Sequence, residues 1–265
     1  MSEQLNPAEH FELEPVSIGG QELSFHIGPL DMSVNKAVIY LWLAAALVAV
    51  VTIGISRVAR VLPTRKQVAF EAIYEYVQST MVGAVMPAKA AANWFPYIAS
   101  LFLFILASNL IGLIPLPHGL SFKTYAATAN INVTAGLAAL TFIFTHASGI
   151  RHNGIIGYFR GWTPDAPPGL KQLLFVLHGF SELFRLVSLS VRLFANMMAG
   201  HMVMLVFYVM ILMLQTWLLF GVLAPVLELS VVAVSLFEIF VAGIQAYIFA
   251  ILSAVYIGGA IEQEH

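Results

Sequence analysis

Long apolar runs, separated by short polar stretches, set the pattern of this chain. About 20 apolar residues at 1.5 Å rise cross a hydrocarbon core of about 30 Å. Ala37–Ser56 meets that length, bounded by Lys36 and by Arg57 and Arg60. A second run extends from about Trp94 to Leu116 and ends at Pro115 and Pro117. A third covers about Ile131 to Ile150 and is stopped by Arg151, His152 and Gly154. Beyond a polar, proline-bearing loop (Gly161 to Gly169) the chain is apolar for most of Leu170 to Ile261, too long for one ordinary span. Gly221 and Pro225 offer the break, predicting helices over about 170–220 and 225–261 that overshoot the bilayer unless strongly tilted.

Between the first two spans the period changes. Over residues 65–86, Phe70, Ile73, Tyr74, Val77 and Met81 recur at helical spacing while Lys66, Glu71, Glu75 and Gln78 fall elsewhere, which predicts an amphipathic helix at the membrane surface. The expected fold is therefore an all-α integral membrane protein. It has about five membrane-embedded helices, with spans near 37–56, 94–116 and 131–150, a surface helix, and two long tilted helices. Residues 1–35 form a polar arm and residues 36–265 a single membrane domain. The arm carries Glu3, Glu9, Glu12, Glu14, Glu22 and Asp31 and lacks the features of a cleaved leader, so the first apolar run is expected to be retained. Basic residues set the orientation. With the N-terminus outside, Arg57, Arg60, Arg65, Lys66, Lys89, Arg151, Arg160 and Lys171 lie inside, against Lys36 and Lys123 outside, and the C-terminus ends inside.

Composition narrows the function. The chain is 60% hydrophobic and 10% charged, against about a quarter charged in soluble domains, so lipid must be its solvent. A net charge of −2 argues against nucleic acid as a partner. With no cysteine there is no thiol chemistry, and the spacing of His146, His152 and His178 predicts no metal site; no cofactor is expected.

Charged groups inside the apolar runs carry the chemistry. An arginine at mid-bilayer costs about 2.5–3.5 kcal/mol on insertion scales, so it needs a reason to be there. On a helix at about 100° per residue, His178, Ser181, Arg185, Ser188, Arg192, Asn196 and Ala199 share one face, with Leu186, Leu189, Leu193 and Phe194 off it. A structural ion pair would account for a buried arginine. Here two arginines share a stripe that holds no carboxylate, although Glu182 stands at i−3 from Arg185. The second long helix supplies Glu228, Ser235, Glu238 and Gln245, the last two seven residues apart on one face. His201 follows Arg192 by nine residues, about 13 Å along the helix and on its opposite side. An imidazole and a desolvated carboxylic acid titrate in overlapping ranges, so this pair suits a proton relay; an interhelical hydrogen bond explains His201 equally well. Asn109, Asn130 and Asn132 read as interhelical hydrogen bonds or caps.

Ser188-Leu189-Ser190-Val191-Arg192-Leu193-Phe194-Ala195-Asn196-Met197-Met198-Ala199-Gly200-His201 resembles the signature of the F-type ATP synthase a-subunit family. So do Gln245–Phe249 with Val255-Tyr256-Ile257, Asn109–Pro115 and Asn130–Thr134. The likeness runs from about Asp31 to the end.

The resemblance implies that Arg192 is the essential arginine facing a rotor carboxylate, that Asn196 lies beside the access channel, and that Gln245 packs near the arginine. His201 and Glu238 stand where many bacterial relatives carry Glu and His, an exchanged pair that looks like the mitochondrial type. His178, Arg185 and Ser188 would belong to the inward-facing proton pathway, and Gly112 stands where some relatives have an acid. The expected partners are the c-subunit ring, the b-type peripheral stalk subunits, the rest of the ATP synthase complex, and lipid. The place implied is a bacterial inner membrane. The chain has no GxxxxGK[ST] loop, so any ATP chemistry is expected to belong to other subunits; the resemblance implies that this one is a non-catalytic proton channel of the stator. A free-standing transporter binding an anion at Arg192 is the competing class, and no internal repeat supports it.

Overall fold

The computed structural model describes residues 33–58, 64–114, 125–163, 167–214 and 220–262, with four two-residue strands in the N-terminal arm. Most of the acidic arm, Arg60, Pro115, Pro117, Lys123 and the last three residues lie outside the described residues. In the arm, β1 (Ser17–Ile18) pairs antiparallel with β2 (Gln21–Glu22), and β3 (His26–Ile27) with β4 (Leu30–Asp31). The other elements among the described residues are helical: α1 (Lys36–Val58), α2 (Arg65–Tyr76), α3 (Ala88–Leu113), α4 (Ile131–Gly161), α5 (Pro168–Leu214) and α6 (Phe220–Ile261), with short helical turns between them. Five of these, all but α2, are long and apolar enough to cross a membrane.

Several boundaries differ from those read off hydropathy. α3 begins six residues before Trp94, because Lys89-Ala-Ala-Ala-Asn93 is a strong helix former that apolarity alone does not register. The surface helix is not uniform. After Tyr76 it widens into a π-helical stretch, Val77–Val82, and there Val77, Met81 and Val82 become fully buried, whereas Ile73 and Tyr74 on α2 stay exposed. A π turn rotates the following side chains, which lets one segment lie on the surface and then anchor in the core. The expected break at Gly221 and Pro225 falls inside α6, which starts at Phe220. Pro225, its sixth residue, forgoes only the bond to the carbonyl of Gly221, a loss that a helix end tolerates.

α4 is interrupted rather than ended: Gly154 adopts φ 72, ψ 163, and the chain resumes as helix to Gly161. Only glycine takes up that backbone at little cost.

Large apolar side chains such as Ile98, Ile105, Leu193 and Phe249 fill the core, and α6 enters it along a ridge of small residues. Ala242, Ala246, Ala250 and Ala254, at four-residue spacing on α6, are all fully buried, and α6 packs on α3, α4 and α5. Small side chains let backbones approach closely, the usual basis of helix association in lipid. Hydroxyls and amides then join the helices. Thr134 meets Ser190 at 3.2 Å, Thr141 meets Ser253 at 3.3 Å, and the Tyr97 hydroxyl meets Thr141 at 2.8 Å. Asn109 donates to the Ala242 carbonyl at 3.3 Å and accepts from Thr128 at 2.6 Å, and Asn130 caps α4 by accepting from the Asn132 amide at 2.8 Å.

α5 has 47 residues and α6 has 42, so at 1.5 Å rise they run about 70 and about 63 Å. A core of about 30 Å holds such helices only if they are strongly tilted or project beyond it.

Candidate functional site

α5 buries one stripe and exposes the next. Glu182, Leu189, Leu193 and Met197 point into the bundle and are at most 6% exposed. Arg185, Ser188, Arg192 and Ala199 lie on the exposed flank, and His178 and Asn196 are half-buried at its margin. The polar stripe thus faces outward, among exposed Phe184, Val187 and Val191.

The two arginines on it are in different states. Arg185 donates Nη1 to the carboxylate of Glu182, which is buried, and its guanidinium lies 5.2 Å from the centre of the Tyr256 ring. His178 Nε2 is 3.4 Å from the same Glu182 oxygen, and its ring stacks 4.8 Å from that of Trp162. Thr141 and Thr145 line a small cavity with Glu182, Arg185 and Tyr256. On the helical wheel the stripe has no carboxylate of its own. In the structure Glu182 reaches across from the buried side, so the charge of Arg185 is matched.

Arg192 is not matched. Its Nη2 donates to Ser188 Oγ at 3.3 Å, and among the described residues no carboxylate comes within 4.0 Å of it.

The acid on α6 lies at another level. Glu238 is 6% exposed, and a methyl group built on Gly200 would be 2.5 Å from its Oε1, so the two helices cross closely here. Gly200 follows Arg192 by eight residues, about 12 Å along α5, while Glu182 precedes Arg192 by ten, about 15 Å the other way. Arg192 therefore stands between two buried carboxylates. His201, next to Gly200, has a buried Nε2 without a hydrogen-bond partner among the described residues, and both oxygens of Glu238 are buried and equally unpartnered there. Among the described residues no nitrogen of His201 comes within 4.0 Å of the Glu238 carboxylate, so the two share a region without touching. Gln245 is half-buried two turns beyond Glu238 on α6. Glu228 is exposed, and Ser235 donates to its own helix, to the Val231 carbonyl at 2.8 Å.

Three contributors have no role in the sequence reading: Gly200, the notch for Glu238, and Tyr256, under Arg185, enter it only as letters of the family motifs, and the hydroxyls beside Glu182 do not enter it. The last had a readable signal. Thr134, Ala138, Thr141, Thr145 and Ser148 keep a spacing of three and four through the third span, the mark of one small, polar, buried face.

An unpaired arginine on an outward face, between two buried acids, fits one comparison. Residues 38–258 match the family described as ATP synthase A chain. The chain belongs to that family. ATP synthase subunit a of Rubrobacter xylanophilus is 37% identical over 241 residues, 89% of this chain and 87% of the relative. That of Nitrobacter winogradskyi is 35% identical over 263 residues, 98% of this chain and all of the relative. That of a Methylobacterium species is 32% identical over the full length of both. Membership makes the chain a multi-pass component of a bacterial-type ATP synthase.

Proposed function

We propose that this chain is the stator subunit through which protons reach and leave the rotor c-ring, with Arg192 dividing two offset half-channels. The observation that carries the reading is the state of Arg192: a permanent charge on an outward apolar face, with the Ser188 hydroxyl as its one polar partner among the described residues. Leaving such a charge unpaired at lipid depth costs several kcal/mol unless a partner supplies the counter-charge. A carboxylate on a ring turning against α5 and α6 would do so.

The roles follow from the levels along α5. On one side the orphaned polar atoms of His201 and Glu238, with Asn196 and Gln245, form the route from outside to the rotor carboxylate. These buried groups have hydrogen-bonding capacity that the chain leaves unused, which suits a hydrated path. They stand as an exchanged pair, His on α5 and Glu on α6. On the other side, Ser188, Arg185 and His178 lead inward past Glu182. A proton crossing 100 mV releases about 2.3 kcal/mol, and it does work only if it cannot pass straight through. The fixed charge of Arg192 repels protons from a continuous wire and favours the ionised form of any carboxylate beside it. Arginine suits this because it stays charged when desolvated. Each rotor carboxylate would release its proton inward, pass Arg192 ionised, and be reprotonated from outside.

In this reading the N-terminus is outside, the C-terminus is cytoplasmic, and b-type stalk subunits hold the chain still. The test is Arg192→Ala in the assembled enzyme. ATP-driven acidification of inverted vesicles should disappear, and pumping at the wild-type rate would remove the proposal.

A further inference from the structure

A cavity of about 740 Å³ opens away from the arginine site, where the start of α3, the end of the α4 span and the end of α6 meet. That volume lies within the range of about 300–1,000 Å³ typical of small-molecule sites. Its polar lining is basic: Lys89 and Arg151, with His152 and Asn93 beside them and Trp94 and Ile261 as apolar wall. Among the described residues no carboxylate lines it, and none lies within 4.0 Å of Lys89 or Arg151.

Backbone features hold the lining in place. Gly154, in a conformation with φ 72, ends the straight run of α4 just after His152. Asn153 then donates Nδ2 to the Ala260 carbonyl at 3.1 Å, joining the end of this span to the end of α6. The two cations therefore face one cavity from two different helices, with their charges unmatched.

From this geometry we infer that the cavity binds the phosphate-bearing headgroup of an anionic membrane phospholipid. Three membrane helices reach their polar ends here, which sets the cavity at headgroup depth. Arg151 offers a forked donor for phosphate oxygens and Lys89 a second cation from across the cavity. His152 and Asn93 add further hydrogen-bonding groups suited to ester or hydroxyl oxygens. Trp94 and Ile261 supply the apolar wall that a glycerol backbone and the first acyl carbons need, and a tryptophan ring at the interface has this dual character.

The test uses the intact complex in mild detergent, titrated with dioleoyl phosphatidylglycerol and read by native mass spectrometry. The wild type should hold one tight lipid whose affinity falls about fivefold in Lys89→Gln and in Arg151→Gln, and about 25-fold in the double variant. The charge-keeping double variant K89R/R151K should hold the lipid; losing it there as well would make packing, not charge, the cause and overturn the inference. Equal binding in all variants would also overturn it, as would phosphatidylcholine of the same chains held equally well. Displacement by equimolar inorganic phosphate would make this a free-anion site instead. Deleting residues 263–265 should leave binding unchanged, and a gain on deletion would assign the cavity to the chain's own terminus.

Discussion

A guanidinium on an outward helix face is stable in lipid only with a counter-charge, and the chain makes this choice twice with opposite results. Arg185 receives a carboxylate from Glu182, three residues away. Arg192 receives a hydroxyl. At Glu238 the bundle does something comparable with an acid: both oxygens are enclosed and neither has a partner among the described residues. Replacing Glu238 with Gln keeps the shape and removes the titrating proton. Passive proton flux through the membrane sector should fall at least tenfold, the low end of what a positioned proton-transfer group contributes, while the subunit still assembles. Unchanged flux would take Glu238 out of the path. Gly200 gives a second handle on the same place. Gly200→Leu would fill the space held by the Glu238 carboxyl, since even a methyl there lies 2.5 Å from Oε1. A flux defect of the same order is expected, with the arginine site intact as judged by the rate of c-ring crosslinking.

At the scale of the elements, stability rests on how closely α6 approaches its neighbours. Ala250 is fully buried in the alanine ridge, so Ala250→Leu forces three extra carbons into a contact that has no room for them. Overpacking of this kind costs about 1–3 kcal/mol, and it should appear as a lower thermal midpoint of the detergent-solubilised complex. Asn109 binds α3 to α6 and to the turn carrying Thr128. The α4 interruption and the π turn after α2 have a shared logic. Each changes the direction of the side chains that follow while the chain goes on as helix.

Across the whole molecule, α5 and α6 both leave large apolar side chains uncovered: Phe184, Val187 and Val191 on α5 and Leu236, Phe237 and Phe240 on α6 are each at least 45% exposed. Lipid alone would suit these residues; it would not suit the arginine among them. Cysteine placed at Asn196 or Ala199, beside Arg192 on the same face of α5, should crosslink to a rotor helix near its carboxylate in the assembled enzyme. Recovery of no rotor product from either position would place the ring elsewhere.

Apolar run length, the basic flanks and the charges inside the runs determined that this chain is a multi-helix membrane protein, and they singled out Arg192, Glu238 and His201. Those features are local, set by what about 20 residues must do in lipid, so one sequence can show them. The i−3 spacing of Glu182 from Arg185 already offered that arginine a local partner; only the tertiary structure decided that Glu182 is buried against α4 and α6 and that no described carboxylate reaches Arg192. Only the structure set Glu238 beside Gly200 and kept it apart from His201, since crossing points between helices depend on the close approach of small side chains. The same reason brings Lys89 and Arg151, 62 residues apart in sequence, to one cavity: the folded helices, and no pattern along the chain, put their ends together.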